Sequence, residues 1–103
     1  MGKYIVVSTT SNNKMVLNNI SKILLEKRLV SCAQVFNIES TYWWNGDLVD
    51  DSEYLLKMKT RKDLYKGVEK IILDNHNYEL PEVIFCDIDG YDKYLNWIDE
   101  ETR

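Results

Sequence analysis

Alternating apolar and polar positions predict a long β-hairpin over residues 31–60. Its first arm, residues 32–44, is rich in β-branched and aromatic side chains, which suit a pleated strand. Asn45-Gly46 then supplies the dipeptide best able to adopt the two positive φ angles of a type I′ turn. At ~3.3 Å per residue, each arm would span roughly 45 Å. We therefore expect the tip to protrude, and its aromatic residues 42–44 to be covered by another chain.

Two segments have the i, i+4, i+7 spacing of amphipathic helices. The first is predicted to be capped within residues 11–13 and to continue to about Leu29. The second is predicted to open at Thr60, with Asp63 in a capping-box-like position, and to fade near residues 74–75. The apolar positions are Val16, Ile20, Ile23 and Leu24 in the first and Leu64, Val68, Ile71 and Ile72 in the second.

Short apolar runs at residues 4–7 and 83–88 predict two further strands, and residues 91–98 predict a final helix. The order β-α-β-β-α-β-α indicates an α+β fold of the ferredoxin-like βαββαβ kind with an extra C-terminal helix. Residues 1–103 are expected to form a single domain. Right-handed crossovers would place both long helices on one sheet face, leaving the other wet or covered by partners.

Composition excludes several classes of protein. Hydrophobic residues make up 45% of the chain and the net charge is −4, which argues against disorder and against nucleic-acid binding. No apolar run approaches the ~20 residues that span a bilayer, and the N-terminus lacks the apolar core of a signal peptide. We therefore expect a cytoplasmic protein without membrane insertion. In that compartment Cys32 and Cys86 are expected to be free, buried thiols.

The single histidine, His76, lies just after the second helix and close to Glu79. It is either a metal ligand or proton-handling group, or a polar loop residue that bonds locally. Cys32 is either a small buried hydrophobe or a ligand or nucleophile, the latter only if it lies beside His76. Acidic residues around the hairpin turn either gather a hard cation or keep a solvated edge from aggregating: Asp47, Asp50, Asp51 and Glu53.

Lys57 and Lys59 share one face of the third strand. They form either an anion-binding site or a solvated end of the strand. The aromatic residues of the hairpin suit either a base-stacking platform or a subunit interface. An RNA-recognition module has the same element order, but residues 54–58 lack its basic-Gly-aromatic signature. With a negative net charge, the interface is favoured.

Several segments together resemble the CutA family, the divalent-cation-tolerance proteins. The resemblance covers nearly the whole chain in the right order. The segment His76-Asn77-Tyr78-Glu79-Leu80-Pro81-Glu82-Val83-Ile84 is similar to the family's His-Pro-Tyr-Glu-x-Pro-Glu-Ile. The other matching segments are Leu24–Cys32, Tyr42-Trp43-Trp44-Asn45-Gly46, Asp51–Thr60 and Tyr94-Leu95-x-Trp97-Ile98.

The resemblance implies a homotrimer in which the long hairpins extend the sheets of neighbouring subunits. It also implies a non-enzymatic role in the response to metal ions, with weak binding of copper or another divalent cation in an intersubunit cleft. By the same resemblance, His76 and Glu79 would be the metal contacts, Tyr78 the wall of the cleft and Lys59 an anion partner.

The chain departs from the family's copper-binding pattern at two of three ligands. Ser8 stands where that pattern has a cysteine, and Asn75 stands where it has a second histidine. Asn77 replaces the proline of His-Pro-Tyr, which is expected to loosen the loop.

Three alternatives stay open at this point. The trimer could be a sensor-like module, similar to the nitrogen-regulatory PII signal proteins, that binds a small anionic metabolite. It could be a structural assembly without a ligand. An acylphosphatase-like enzyme shares the topology, but residues 8–12 lack its glycine-rich, arginine-bearing phosphate loop.

Overall fold

Within residues 2–103, which the computed structural model describes, four strands and three helices follow the predicted order; Met1, the first residue of the predicted domain, lies outside. The elements are strand β1 Tyr4–Ser11, helix α1 Lys14–Glu26, strand β2 Cys32–Trp44, strand β3 Asp47–Arg61, a 3₁₀ turn Lys62–Leu64, helix α2 Tyr65–Asn75, strand β4 Ile84–Ile88 and helix α3 Asp92–Glu101. The strands form one antiparallel sheet in the order β2-β3-β1-β4. The predicted α+β fold is therefore confirmed.

The hairpin is built as its sequence predicts. Strands β2 and β3 pair continuously from Cys32 opposite Lys59 to Trp44 opposite Asp47. The two turn residues have φ angles of 50° at Asn45 and 83° at Gly46, as a type I′ turn requires.

The outer half of the hairpin has no third strand beside it. Strand β1 pairs with β3 only from Tyr54 to Arg61, so residues 38–44 pair only with residues 47–53. This two-stranded segment, residues 38–53, is called the ribbon below. At ~3.3 Å per residue its seven-residue arms extend roughly 23 Å, in a molecule whose longest dimension is 44 Å. Two strands alone are marginally stable in water, so the ribbon is the part of the fold that most needs a neighbour.

The main core lies between the sheet and the two long helices. Both helices pack on one face of the sheet, as the right-handed crossovers predict. The fully buried side chains of this core come from both helices and from the two central strands: Ile5, Val7, Leu17, Ile20, Leu24, Leu56, Met58, Val68 and Ile72.

Helix α1 begins where predicted and ends earlier. The Asn13 side chain accepts a 3.0 Å hydrogen bond from the Met15 amide, which confirms the cap. The helix stops at Glu26 instead of continuing to Leu29, because Arg28 adopts a left-handed φ of 60°. The Leu29 amide then donates back to the Leu24 carbonyl at 3.0 Å, as in a Schellman motif.

The prediction that Thr60 opens the second helix is wrong. Thr60 is fully buried inside β3, where it pairs with Ile5. Its hydroxyl donates a 2.6 Å hydrogen bond to the Leu29 carbonyl. The strand therefore continues to Arg61, and α2 begins only after the 3₁₀ turn, at Tyr65.

Helix α3 covers part of the second sheet face. The Tyr4 hydroxyl donates to Asp99 at 2.6 Å, and Leu95 and Ile98 of α3 are buried. The rest of this surface, called the open face, is uncovered within residues 2–103: Phe36 is 46% exposed and Ile84 57%. No helix in the described part of the chain is long and apolar enough to cross a bilayer.

Both cysteines are free, as predicted, but neither is buried: Cys32 is half-buried and Cys86 exposed. They lie on β2 and β4, the two outer strands of the sheet. Three strand spacings, roughly 14 Å, separate those strands, which is far beyond the reach of a disulfide.

Candidate functional site

The segment after α2 is held against β1 by His76. One ring nitrogen, Nε2, lies 2.8 Å from the Thr10 carbonyl, and the other, Nδ1, accepts a 3.0 Å hydrogen bond from the Tyr78 amide. Nε2 must therefore donate, so the ring is neutral with its proton on Nε2. Burial lowers the pKa of His76, against the opposing effects of the Thr10 carbonyl and the charge of Glu53.

Asn77 forms two side-chain hydrogen bonds, and the expectation that it loosens the loop relative to proline stays a prediction. Its side-chain oxygen accepts from the Ser11 hydroxyl at 2.7 Å, and its side-chain amide donates to Asn12 at 3.1 Å. The two bonds join the loop to the end of β1.

Tyr78 connects the loop to the base of the ribbon. Its hydroxyl donates a 2.6 Å hydrogen bond to the Glu53 carboxylate, which is only 6% exposed. Burial and the adjacent carboxylate raise the pKa of Tyr78 far above its ordinary value. Glu82 lines the same groove as Glu53, and burial, followed by the charge of Glu53, raises the pKa of Glu82.

These groups border a groove of about 710 Å³ between the ribbon and residues 77–82, called the acidic groove below. The residues that line it are Thr10, Asn12, Ser40, Thr41, Tyr42, Trp43, Trp44, Asp51, Glu53, Asn77, Tyr78, Glu79, Leu80 and Glu82. Four of these side chains are carboxylates and none, among residues 2–103, is basic. The Tyr42 hydroxyl donates to Asp51 at 3.1 Å, and Trp43 remains 73% exposed. The groove is therefore negative, with aromatic walls, and attracts cations.

The structure brings together some of the predicted site residues. Tyr78 and Glu79 both line the acidic groove, whereas His76 lies behind it with both ring nitrogens engaged. Lys59 is six residues along β3 from Glu53, roughly 20 Å. There its ammonium donates to Gln34 at 3.0 Å and lies 5.6 Å from the centroid of the Tyr94 ring. Within a single copy of the chain, Lys59 therefore lies too far from the groove to contribute to it.

The metal role of His76 and Glu79 stays a prediction. Among residues 2–103, no three His, Cys, Asp or Glu side chains lie in a group that could hold a metal ion. Of the family's other copper positions, Ser8 is 9% exposed, and the Asn75 side chain donates to the Ile71 carbonyl at 2.8 Å.

Sequence reasoning missed Glu82 as a groove residue. The sequence places Asp51 and Glu53 in an acidic cluster around the turn, whereas in the structure these two line the groove and Asp47 and Asp50 do not. The available signal was the strand register: Asp51 and Glu53 occupy alternate positions of β3 and therefore share one sheet face.

The fold is that of solved CutA structures. The crystal structure of CutA1 from Oryza sativa superimposes with a TM-score of 0.93 at 36% identity, covering 99% of this chain and 95% of that one. The sequence profile of the family described as CutA1 divalent ion tolerance protein matches residues 5–101. The chain therefore belongs to the CutA family.

Curated relatives agree with this assignment. The chain is 35% identical over 100 residues to the divalent-cation tolerance protein CutA of Pyrococcus horikoshii, covering 96% of this chain and 98% of the relative. It is 38% identical to the chloroplastic protein CutA 1 of Oryza sativa, covering 96% of this chain but only 57% of the relative's length. The name of the Pyrococcus relative describes a tolerance protein rather than an enzyme, and the matches do not favour a PII-like signalling module.

Proposed function

We propose that this CutA family member acts in the response to divalent cations as a cytoplasmic homotrimer without catalytic activity. In this proposal it binds copper or another divalent cation weakly, in a cleft between subunits. The observation that carries the proposal is the acidic groove, which is lined by the carboxylate side chains of Asp51, Glu53, Glu79 and Glu82.

The unsupported ribbon favours the homotrimer. Within residues 2–103, no third strand pairs with residues 38–53, and Trp43 near their tip is 73% exposed. The open face carries further exposed apolar side chains, including Ile84 at 57%. Covering these surfaces would stabilise an assembly, because each Å² of apolar area removed from water contributes about 25 cal/mol of favourable free energy.

The carboxylates that line the groove suit a hard divalent cation better than copper, and because no three His, Cys, Asp or Glu side chains within residues 2–103 converge into a metal-holding group, the proposed binding is weak. Carboxylate oxygens suit Mg²⁺, Ca²⁺ and Mn²⁺, whereas imidazole nitrogen suits copper. His76 could contribute only after giving up its bond to Thr10 or to Tyr78. Copper binding through His76 and Glu79 is therefore proposed as weak, with Tyr78 as the wall of the cleft and Lys59 as an anion partner.

Calorimetric titration of Mn²⁺ and Cu²⁺ into the wild type, Glu79→Gln and His76→Gln tests the metal proposal. Loss of a ligand should weaken the affinity by at least about tenfold. Glu39→Gln is the matched control, because Glu39 is a carboxylate that does not line the groove and accepts a hydrogen bond from Ser52 instead. Heats equal to buffer dilution for both metals, or equal affinities in all four proteins, would overturn the metal role.

The free thiols favour the cytoplasmic part of the proposal. Cys86 is exposed and Cys32 half-buried, too far apart to join, and such thiols persist in a reducing compartment. Fractionation of cells that produce the tagged protein, with compartment markers, tests the location. Recovery outside the cytoplasmic fraction would contradict it.

A further inference from the structure

Glu53 is a buried carboxylate without a cation. Only 6% of the residue is exposed, and its contact is the neutral Tyr78 hydroxyl at 2.6 Å. No Lys, Arg or His among residues 2–103 forms an ion pair with it. A buried charge is costly unless it is paired. Glu82 faces the same space, so the groove holds more negative charge than one protomer compensates.

Lys57 is the complementary feature on the open face. Leu56 and Met58 point into the main core, so strand alternation directs Lys57 to the opposite side. Its ammonium lies 5.8 Å from the centroid of the half-exposed Phe36 ring. Within residues 2–103 it forms no ion pair.

Lys57 cannot neutralise the groove of its own protomer. It lies four residues along β3 from Glu53, on the same face, which corresponds to roughly 13 Å of strand. Lys59, two residues further, is already held by Gln34 at 3.0 Å. An acidic site and a free lysine thus lie at two separate places on one surface.

A closed ring of three subunits needs two different contact surfaces on each copy, and the separated groove and lysine meet that requirement. Threefold symmetry joins two different, complementary surfaces of each copy, instead of one surface with itself. The open face supplies such a pair: the acidic groove beside the ribbon, and Lys57 with Phe36 nearer its centre. Opposite charges at an interface fix its register and exclude other arrangements.

We propose that Lys57 of a neighbouring copy enters the acidic groove and pairs with Glu53 and Glu82, so that each groove is completed by the next subunit. The inference rests on the homotrimer proposed above and adds the contact that closes it. One ammonium against four carboxylates leaves the groove negative. Trp43 and Trp44 line the same groove and are exposed in a single copy, so they are available to cover the pair in the assembly.

Disulfide trapping tests the contact directly. In a Cys32→Ser, Cys86→Ser background, the variant Lys57→Cys with Glu82→Cys should form covalent dimers and trimers on mild oxidation, and reductant should reverse them. The matched control carries Lys27→Cys with Glu82→Cys, because Lys27 caps the end of α1 and also lacks an ion pair. Cross-linking no stronger than in this control would overturn the contact.

A charge reversal supplies an independent readout. Lys57→Glu should shift the light-scattering mass at micromolar concentration from three chains toward one, and adding Glu82→Lys should restore part of it. Lys27→Glu should leave the mass unchanged. A wild-type monomer would refute the proposed trimer itself. A wild-type trimer that Lys57→Glu does not weaken, together with control-level cross-linking, would refute this pairing alone.

Discussion

At the scale of single residues, the hydrogen bond between Tyr78 and Glu53 joins the ribbon to the loop after α2. The donor and acceptor atoms are 2.6 Å apart, and the carboxylate that accepts is buried. Such a bond to a charged group contributes more than a neutral one. It fixes the walls of the acidic groove relative to each other, whatever the groove binds.

Removing this bond should be measurable. Tyr78→Phe keeps the ring but leaves Glu53 without its donor, and we expect the free energy of unfolding to fall by about 1.5–3 kcal/mol. Tyr91→Phe is the control, because Tyr91 is 70% exposed. Urea unfolding followed by far-ultraviolet circular dichroism gives both values. Equal stabilities of the two variants would contradict the role of this bond.

His76 should make stability depend on pH. Burial holds its pKa below the ordinary value of 6.5, so the unfolded chain binds a proton at a higher pH than the folded chain does. The contribution of His76 is therefore fully present above pH 6.5, and it is lost as the pH falls from there through the folded-state pKa.

The His76→Gln variant isolates this effect, since it removes the titrating group and keeps a polar side chain. Between pH 7.5 and about pH 5, the wild type should lose more of its melting temperature than the variant does. Differential scanning calorimetry at several pH values measures the difference. Parallel pH profiles would show that the histidine is not held neutral in the folded state.

At the scale of elements, the register of the hairpin depends on its turn. Gly46 has a φ of +83°, and a Cβ added there would meet nothing within 4 Å. A side chain at this position would therefore be strained by backbone conformation alone.

Gly46→Ala should destabilise the protein by about 1–2 kcal/mol, the cost of a left-handed conformation for an ordinary residue. Gly90→Ala is the matched control, because a Cβ there also meets open space and the backbone φ is not in the left-handed range. Chemical denaturation of both variants supplies the comparison. A Gly46→Ala loss no larger than that of Gly90→Ala would contradict the type I′ turn.

Patterns that depend on neighbours in sequence predicted the elements well. Residues that are close in sequence determine three of these features: the Asn45-Gly46 turn, the Asn13 cap and the apolar spacing of α1 and α2. The element ends were harder to predict where tertiary contacts decide them. Thr60 reads as a helix opener, yet its hydroxyl bonds to Leu29, 31 residues away.

The candidate site was harder to predict for the same reason. The sequence places Tyr78 and Glu79 near His76, but only the fold shows that the histidine bonds to β1 and lies behind the groove. Glu82 joins Glu53 only because the loop after α2 lies against the base of the ribbon. Side-chain contacts between distant segments leave no periodic signal along the chain.

At the scale of the whole molecule, one protomer is incomplete in the same way at three places. The ribbon lacks a third strand, the open face carries exposed Phe36 and Ile84, and the acidic groove has no basic residue among those described. A second and third copy would cover each of these. The stability of the ribbon and the completeness of the groove therefore depend on association of subunits more than on any single side chain.

Multi-angle light scattering of the wild type at micromolar concentration and physiological salt tests that claim most directly. We expect a single species with three times the 12.2 kDa mass of the chain, unchanged on tenfold dilution. A folded species at the mass of one chain would contradict the account, because the ribbon and the groove would then be stable without a partner.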